Sequence, residues 1–480
     1  MGRHEKIVLD DDGLDKRAIG YYSTPAFIAQ FITAKMLEIN PQGKLVLDPC
    51  IGREEMVAPF FRAGKRIVGL DIIDYGPKTM SRFQQGDFLD YYRHHGRNLP
   101  FDYYIANPPY NCHENRYIRQ NKGPLRRLFP EIGALNMYSL FIAALIDCAK
   151  PGALIGLLTN DSFLTARLHK PLREKLIKEC RIHYLLLCPT DLFAQQGADV
   201  RTCIMILEKR PARGPEGPIK TKNRPATVKE LMTLLEGGNF DQVELGDILL
   251  DHPKDHLELV IGCPPSIKGL FHHPRLNDHY PCITGISTGD DRRFLSQDKT
   301  DYYSVPFYKN PGRRRFRTEP DGYLPQDFLE ISRQRPNFIV RNRAYLFQEG
   351  IICSSMGVTF AAAYLPPGAT FGVNAGIFPR EGHLWWLLAY LNTSLVTYLV
   401  RGVLLRTNMI TSGYVGRIPL LPLGEGTKDS LARLAHRAYE GCPQDGILET
   451  IDRLIFQEGG LGSEEIHHIQ SFCHDLIRRT

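Results

Sequence analysis

Between residues 24 and 206, short runs of apolar residues alternate with segments of helical spacing, and this alternation leaves the chain few folds to choose from. KLVLDP (44–49), RIVGLDI (66–72), YYIANPP (103–109), ALIGLLTND (153–161), IHYLLLC (182–188) and VRTCIMILEK (200–209) read as strands. TPAFIAQFITAKMLEI (24–39), EMVAPFFRAGK (55–65) and MYSLFIAALIDCAK (137–150) have helical spacing. A strand apolar along its whole length needs cover on both faces, and the intervening helices supply it. The expected class is α/β, with a doubly wound, Rossmann-like parallel sheet.

That pattern accounts for less than half of the 480 residues. KRPARGPEGPIKTKNRP (209–225) is dense in Pro, Gly and Lys with no apolar period and reads as a linker. The expected organisation is a first domain over 1–210, a linker over 211–225, an irregular α+β domain over 226–426 and a small helical segment over 427–480. The eleven cysteines contain no CxxC pair, which argues against a zinc ribbon or disulfide framework. No metal is expected. No run of about 18 apolar residues offers a membrane span, and the charged opening MGRHEKIVLDDDGLDKR lacks a secretory signal's apolar stretch. The expectation is a cytoplasmic protein without a membrane partner. A net charge of +6 permits a polyanionic partner without demanding one.

Ligands of open α/β sheets bind outside the carboxyl ends of the strands, so the residues there carry the functional reading. LDPCIGREE (47–55) is a strand, a turn at Gly52 and a helix start, suited to a nucleotide-like ligand. GLDIID ends its strand on Asp71, about 20 residues further on, where an acid commonly holds ribose hydroxyls. GDFLDY sets Asp87 beside the ring of Phe88, as would suit an adenine. Strand-ending acids and loop glycines are common, so each signal is weak alone. Asn107-Pro108-Pro109-Tyr110 is more specific. An exocyclic amine conjugated with its ring is a poor nucleophile, and two acceptors that draw its N–H groups out of conjugation correct this. The Asn107 Oδ1 can accept one. The carbonyl of Pro108, between residues of fixed φ and without N–H groups, can accept the other. Tyr110 then offers a face to a base that has left its duplex. Phe193, in TDLFAQQGADV, is a second platform or a core residue.

With these residues in this order, the chain resembles the gamma-class N6-adenine DNA methyltransferases with a TaqI-like C-terminal target-recognition domain, of the restriction-modification and phage-defence type. YYSTPAFIAQFI, LDPCIG, GLDIID, GDFL, NPPY, NMYSLFIAAL, GLLTNDSFL, LFAQQGADVRTCIMILEK, ITGISTGDDRRFL, LLAYLNTSL and IDRLIFQEGGLGSEEI carry the resemblance. It implies a methyltransferase sheet that binds S-adenosylmethionine near Thr24, Pro25, Asp48, Gly52, Asp71 and Asp87, with Phe88 against its adenine. Asn107 and Pro108, with Pro109, would hold the target amine, and Tyr110 and Phe193 would stack the flipped base. The activity implied is site-specific adenine-N6 methylation of double-stranded DNA, with a cognate restriction endonuclease or other defence-system subunits as partners. One departure stands out: the family's second glycine is here Glu54, a side chain expected to crowd the donor's carboxylate.

DNA contact needs basic residues, arginine above all where base edges are read. Arg313, Arg314, Arg315 and Arg317 surround Phe316, Arg333, Arg335, Arg341 and Arg343 follow, and Arg116, Arg119, Lys122, Arg126 and Arg127 come directly after NPPY. A solvated face is the plain alternative for each cluster. Three other functions remain open: methylation of a protein glutamine amide, methylation of cytosine N4, and a DNA-binding pseudoenzyme. The large basic region beyond 226 weighs against the first, and Asn rather than Ser at 107 against the second.

Overall fold

Nine strands of the first part of the chain form one sheet. They are β1 (Leu45–Asp48), β2 (Arg66–Asp71), β3 (Arg82–Gln85), β4 (Tyr103–Ala106), β5 (Leu154–Asn160), β6 (Cys180–Leu187), β7 (Thr202–Lys209), β8 (Ile219–Lys222) and β9 (Asp241–Val243), in the order β3-β2-β1-β4-β5-β7-β6-β8-β9. This computed structural model describes residues 21–110, 116–198, 200–210, 217–355, 359–404 and 409–478. β1 pairs in parallel with β2 and β4, β2 with β3, and β4 with β5. The chain runs outward from β1 to β3 and returns to β4, so the switch point, where such sheets open a crevice, lies between β1 and β4. β7 inserts antiparallel between β5 and β6, which makes the sheet mixed rather than purely parallel.

The side-chain period of two sends Tyr103 and Ile105 to one face of the sheet and Tyr104 and Ala106 to the other, each into its own apolar core. Helix Met137–Cys148, buried at every position, covers the Tyr104 face. Helix Ala26–Ile39 covers the Tyr103 face through Ile28, Ile32 and Met36. It lies so close that a side chain at Gly156 of β5 would collide with Ile32 and Met36. Burying an aliphatic side chain of this kind stabilises by about 1.5–3 kcal/mol, so these two helices hold β4 and β5 in place beneath the crevice.

The chain divides into two compact units, residues 1–262 and 263–480. The first unit extends past the expected boundary at 210. Residues 211–216 of the expected linker lie outside the described residues, but its end forms β8, parallel to β6, and β9 pairs with β8. The physical reason is a short period-two pattern: Ile219 and Thr221 point inward while Lys220 and Lys222 are half-exposed. Helix Val228–Gly237 adds Leu231 and Leu235 to the core on the Tyr103 face.

In the second unit, short strands between Cys282 and Ile377 form small sheets around Phe307, Phe328, Phe371 and Phe378. Helices follow from Leu384, earlier than the expected 427, and run to Arg478. Among the described residues no single helix is long and apolar enough to cross a membrane. The most apolar ones, Met137–Cys148 and Leu384–Leu391, are buried in protein.

Candidate active site

β4 ends where it does because Pro108 and Pro109 have no N–H to continue a ladder. Asn107, the first residue past the strand, has its amide fully engaged. Its Nδ2 donates to the Tyr22 carbonyl at 2.9 Å and to Thr24 Oγ1 at 2.9 Å, and its Oδ1 accepts from the Tyr110 hydroxyl at 2.5 Å. With both N–H groups committed to acceptors, the amide has one orientation and Oδ1 is its outward end. Among the described residues nothing donates to the carbonyl oxygen of Pro108.

Tyr22 and Thr24 belong to a strap, residues 21–25, that precedes helix Ala26–Ile39. The Gln196 side chain grips the strap through both polar atoms of its amide. It accepts from Ser23 N and donates to Ser23 O, each at 2.8 Å. On the other side Glu55 accepts from the Ser23 hydroxyl at 2.9 Å and from the Tyr21 hydroxyl. Pro25 sits at the helix N-cap, where its carbonyl accepts from Ile28 N. Thr24, expected beside the donor, is thus also a direct partner of Asn107.

The acidic residues expected to hold the donor gather at the ends of β1 and β2. Asp48 is buried, and its Oδ1 accepts from Cys50 N at 3.0 Å while Oδ2 has no partner. Asp71 accepts from Gly52 N at 2.9 Å and Ile73 N at 3.1 Å. Burial, then repulsion from Asp71 and Glu55, pushes the Asp48 carboxyl well above its usual range; burial also raises Asp71. Gly52 has φ +53°, and a Cβ there would stand 2.6 Å from the Tyr21 ring. Crowded acids with raised pKa and an orphaned carboxylate oxygen fit a ligand that carries positive charge and hydroxyls, as S-adenosylmethionine does.

Asp87 and Phe88 are placed differently from expectation. Asp87 caps helix Phe88–His95, accepting from Leu89 N at 2.8 Å, and also accepts from the Tyr117 hydroxyl. Phe88 is 1% exposed, with its ring 5.1 Å from that of Phe141 in the core. Glu54 does not project into the crevice. It has φ +68° and is buried, and its carboxylate accepts from Thr79 N at 3.0 Å, Met80 N at 3.2 Å and Ser81 Oγ at 2.7 Å. The side chain braces the 79–81 loop.

Tyr110 is half-buried and packs beside Phe193, whose ring is wholly covered. Burial pushes the Tyr110 hydroxyl well above its usual range, so it stays a donor. Tyr22, which sequence reasoning passed over, lies against both rings. Ser23, Gln196, Glu55 and Tyr117 were missed as well. Only the position of Tyr22 and Ser23 inside YYSTP hinted at them.

The basic residues after the site lie on helix Arg116–Leu128, where Arg116, Arg119, Lys122, Arg126 and Arg127 are all exposed. In the second unit Arg313, Arg314, Arg333 and Arg335 are exposed too. Phe316 anchors the first pair: it is fully buried, and its N–H and carbonyl bond Ala362 and Tyr364. Arg315 is instead half-buried, and its positive charge opposes the rise that burial imposes on the pKa of Asp452.

Residues 76–230, which include the NPPY segment and β4 through β8, match the family model described as N-6 DNA Methylase. The similarity to that family covers this stretch of the first unit. The acidic crevice suits S-adenosylmethionine, the expected cofactor. Over 227 residues the chain is 25% identical to the Type II methyltransferase M.BanIII of Aneurinibacillus aneurinilyticus; the match covers 39% of each protein. The chain thus spans about two fifths of the length of that curated relative. Among solved structures, a nuclease-deletion mutant of the Type ISP restriction-modification enzyme LlaGI, in complex with a DNA substrate mimic, has a TM-score of 0.57 at 12% identity. That match covers 89% of this chain and 55% of the other. The DrdV–DNA complex has a TM-score of 0.55 at 12% identity, covering 88% of this chain and 57% of the other. At these identities the likeness is one of fold. The residues matched by the family model lie wholly within the first unit.

Proposed function

We propose that this chain transfers the methyl group of S-adenosylmethionine to the N6 amine of an adenine swung out of double-stranded DNA, at a specific site. The observation that carries the reading is the Asn107 amide: its nitrogen is held by Tyr22 and Thr24, leaving Oδ1 as an oriented acceptor next to the Pro108 carbonyl. When bound, the donor supplies the methyl on an electrophilic sulfonium. Asn107 Oδ1 and Pro108 O accept the amine's two N–H bonds and turn its lone pair out of the ring's π system. The work of these residues is positioning and charge compensation, without a covalent intermediate on the protein. The proton that the amine gives up sits at Asn107 Oδ1, from which water takes it. Asp48 and Asp71 hold the donor's charged and hydroxyl groups, with Thr24, Pro25, Gly52 and Asp87 shaping its surroundings.

Swinging a base out of a duplex costs a few kcal/mol, and stacking on one aromatic ring returns about 1–3. Tyr110, with Phe193 behind it, is that platform. The basic helix Arg116–Leu128 and the exposed Arg313, Arg314, Arg333 and Arg335 serve phosphates, with Arg315 positioned behind them; the second unit reads the site. A partner nuclease or defence subunit fits the restriction-modification naming of the relatives. Incubation with labelled donor and mixed genomic DNA, followed by digestion to nucleosides, should place label in N6-methyladenine, and Asn107→Ala should abolish it while DNA affinity persists. Label in protein or in cytosine, or none beside an active control, overturns the proposal.

A further inference from the structure

Three rings meet at the end of β4, and their spacing says more than that a base stacks there. Tyr22 and Tyr110 are 18° from parallel with centroids 5.9 Å apart; Tyr22 and Phe193 are 5.7 Å apart, and Tyr110 and Phe193 6.1 Å. A base sandwiched between two parallel rings needs about 7 Å between their planes, twice the ~3.5 Å contact distance of carbon atoms. The centroid distance is an upper limit on the spacing of the planes. Tyr22 and Tyr110 must therefore part by at least about 1 Å before a base enters between them.

What keeps them together is the Tyr110 hydroxyl, which donates at 2.5 Å to Asn107 Oδ1, the oxygen that the incoming amine requires. Tyr22 cannot easily give way, because Ser23 ties its backbone to Gln196 and Glu55 and its own carbonyl holds Asn107. Tyr110 is the jaw that moves. We propose that Tyr22 and Tyr110 form an aromatic clamp for the extruded base, latched shut by the Tyr110 hydroxyl on Asn107 until the base's exocyclic amine takes its place. The inference rests on the reading of this crevice as the seat of a flipped base. It makes the latch a selective element, since a base that presents a carbonyl there cannot replace the hydroxyl as donor.

A single-stranded hexanucleotide carrying one 8-vinyladenine, which keeps the 6-amine that must displace the latch, tests the clamp, because stacking between two rings quenches its fluorescence. The protein is first saturated with S-adenosylhomocysteine, so that the donor's own adenine site is filled. The wild type should quench saturably. Tyr22→Leu should raise the dissociation constant at least about fivefold, the low end of a base-to-aromatic stack, and Tyr22→Phe should stay within about twofold. Tyr110→Phe keeps the ring and removes the latch, so it should bind more tightly than the wild type. Absent saturable quenching, unchanged binding by a folded Tyr22→Leu, or no tightening in Tyr110→Phe each overturns the clamp. Should Tyr22→Leu fail to fold, Tyr110→Phe decides. The two readings fail separately: the expected quenching without label in DNA sinks the methylation proposal and keeps the clamp, whereas label in DNA with unchanged Tyr22→Leu binding does the reverse.

Discussion

Glu54 offers a test in which bracing and crowding predict opposite results. Its carboxylate binds three donors at positions 79–81, and each hydrogen bond to a charged group contributes about 1.5–3 kcal/mol. Those donors are half-exposed or exposed and regain water when released, so the loss in Glu54→Ala should fall well below the simple sum of the three bonds, at about 2–3 kcal/mol. The backbone adds a second contribution. At φ +68° a residue with a Cβ carries a strain of roughly 1–2 kcal/mol that glycine does not. Glu54→Gly therefore loses the same bonds but relieves the strain, for a net loss of about 1 kcal/mol. The expected order of stability is wild type, then Gly, then Ala, measured as urea midpoints at constant slope. The braced loop joins Asp71 to β3, so calorimetric donor affinity should fall up to tenfold in both variants while DNA affinity stays. If Glu54 instead crowds the donor's carboxylate, as its departure from the family pattern suggests, Glu54→Gly will bind donor more tightly than the wild type. That result, or an alanine variant more stable than the glycine one, refutes the reasoning.

Thr24→Val keeps the shape of the side chain but removes one of two acceptors for Asn107 Nδ2; kcat should fall about tenfold, as the loss of one such bond implies, with Thr24→Ser largely restoring it. A raised donor dissociation constant with unchanged kcat would mean that Thr24 serves the donor alone. Asp48 and Asp71 have raised pKa in the donor-free protein, so these two groups cost stability as pH rises through the ordinary carboxylate value near 4 and the full cost is reached above their folded pKa. A cationic donor favours their charged forms, so its binding should release protons and tighten as pH rises above about 4; proton uptake in calorimetry across buffers would contradict this. Replacing Arg126 and Arg127 by Gln should lower the slope of log affinity against log salt by up to about 2. An unchanged slope would make that face a solvated one.

The parts of this site legible in the sequence are those whose chemistry is local. Asn107 and the two prolines announce themselves because a strand cannot continue through them, and an amide with a rigid carbonyl beside it has few other uses. Gly52 and Asp71 were legible for a similar reason, as a turn and a strand end. Phe88 was not, because an aromatic at a helix start is read the same way whether it faces a ligand or a core. Asp87 had a second local job, the N-cap of its helix, which competes for one oxygen. β8 was hidden because four residues of alternating Ile, Lys and Thr look polar until β6 is beside them. Arg315 differs from its neighbours Arg313 and Arg314 only through Asp452, 137 positions away.

Tyr22 shows most plainly why the remainder needed coordinates. The strap that carries it touches what are otherwise separate places: Glu55 beside the donor crevice, Gln196 behind Phe193, and Asn107 at the end of β4, some 85 residues along the chain. No periodicity links these positions, since each bond is made by one side chain or one carbonyl at a turn. The same bonds give the strap its chemical consequence. A shift of the 52–55 loop passes through Glu55 to Ser23 and from there to the carbonyl and hydroxyl that orient Asn107. On the proposed reading, the acceptor for the target amine is therefore set by the same segment that would border the donor, and an incoming base would meet an amide already turned to receive it, with the Tyr110 hydroxyl to displace.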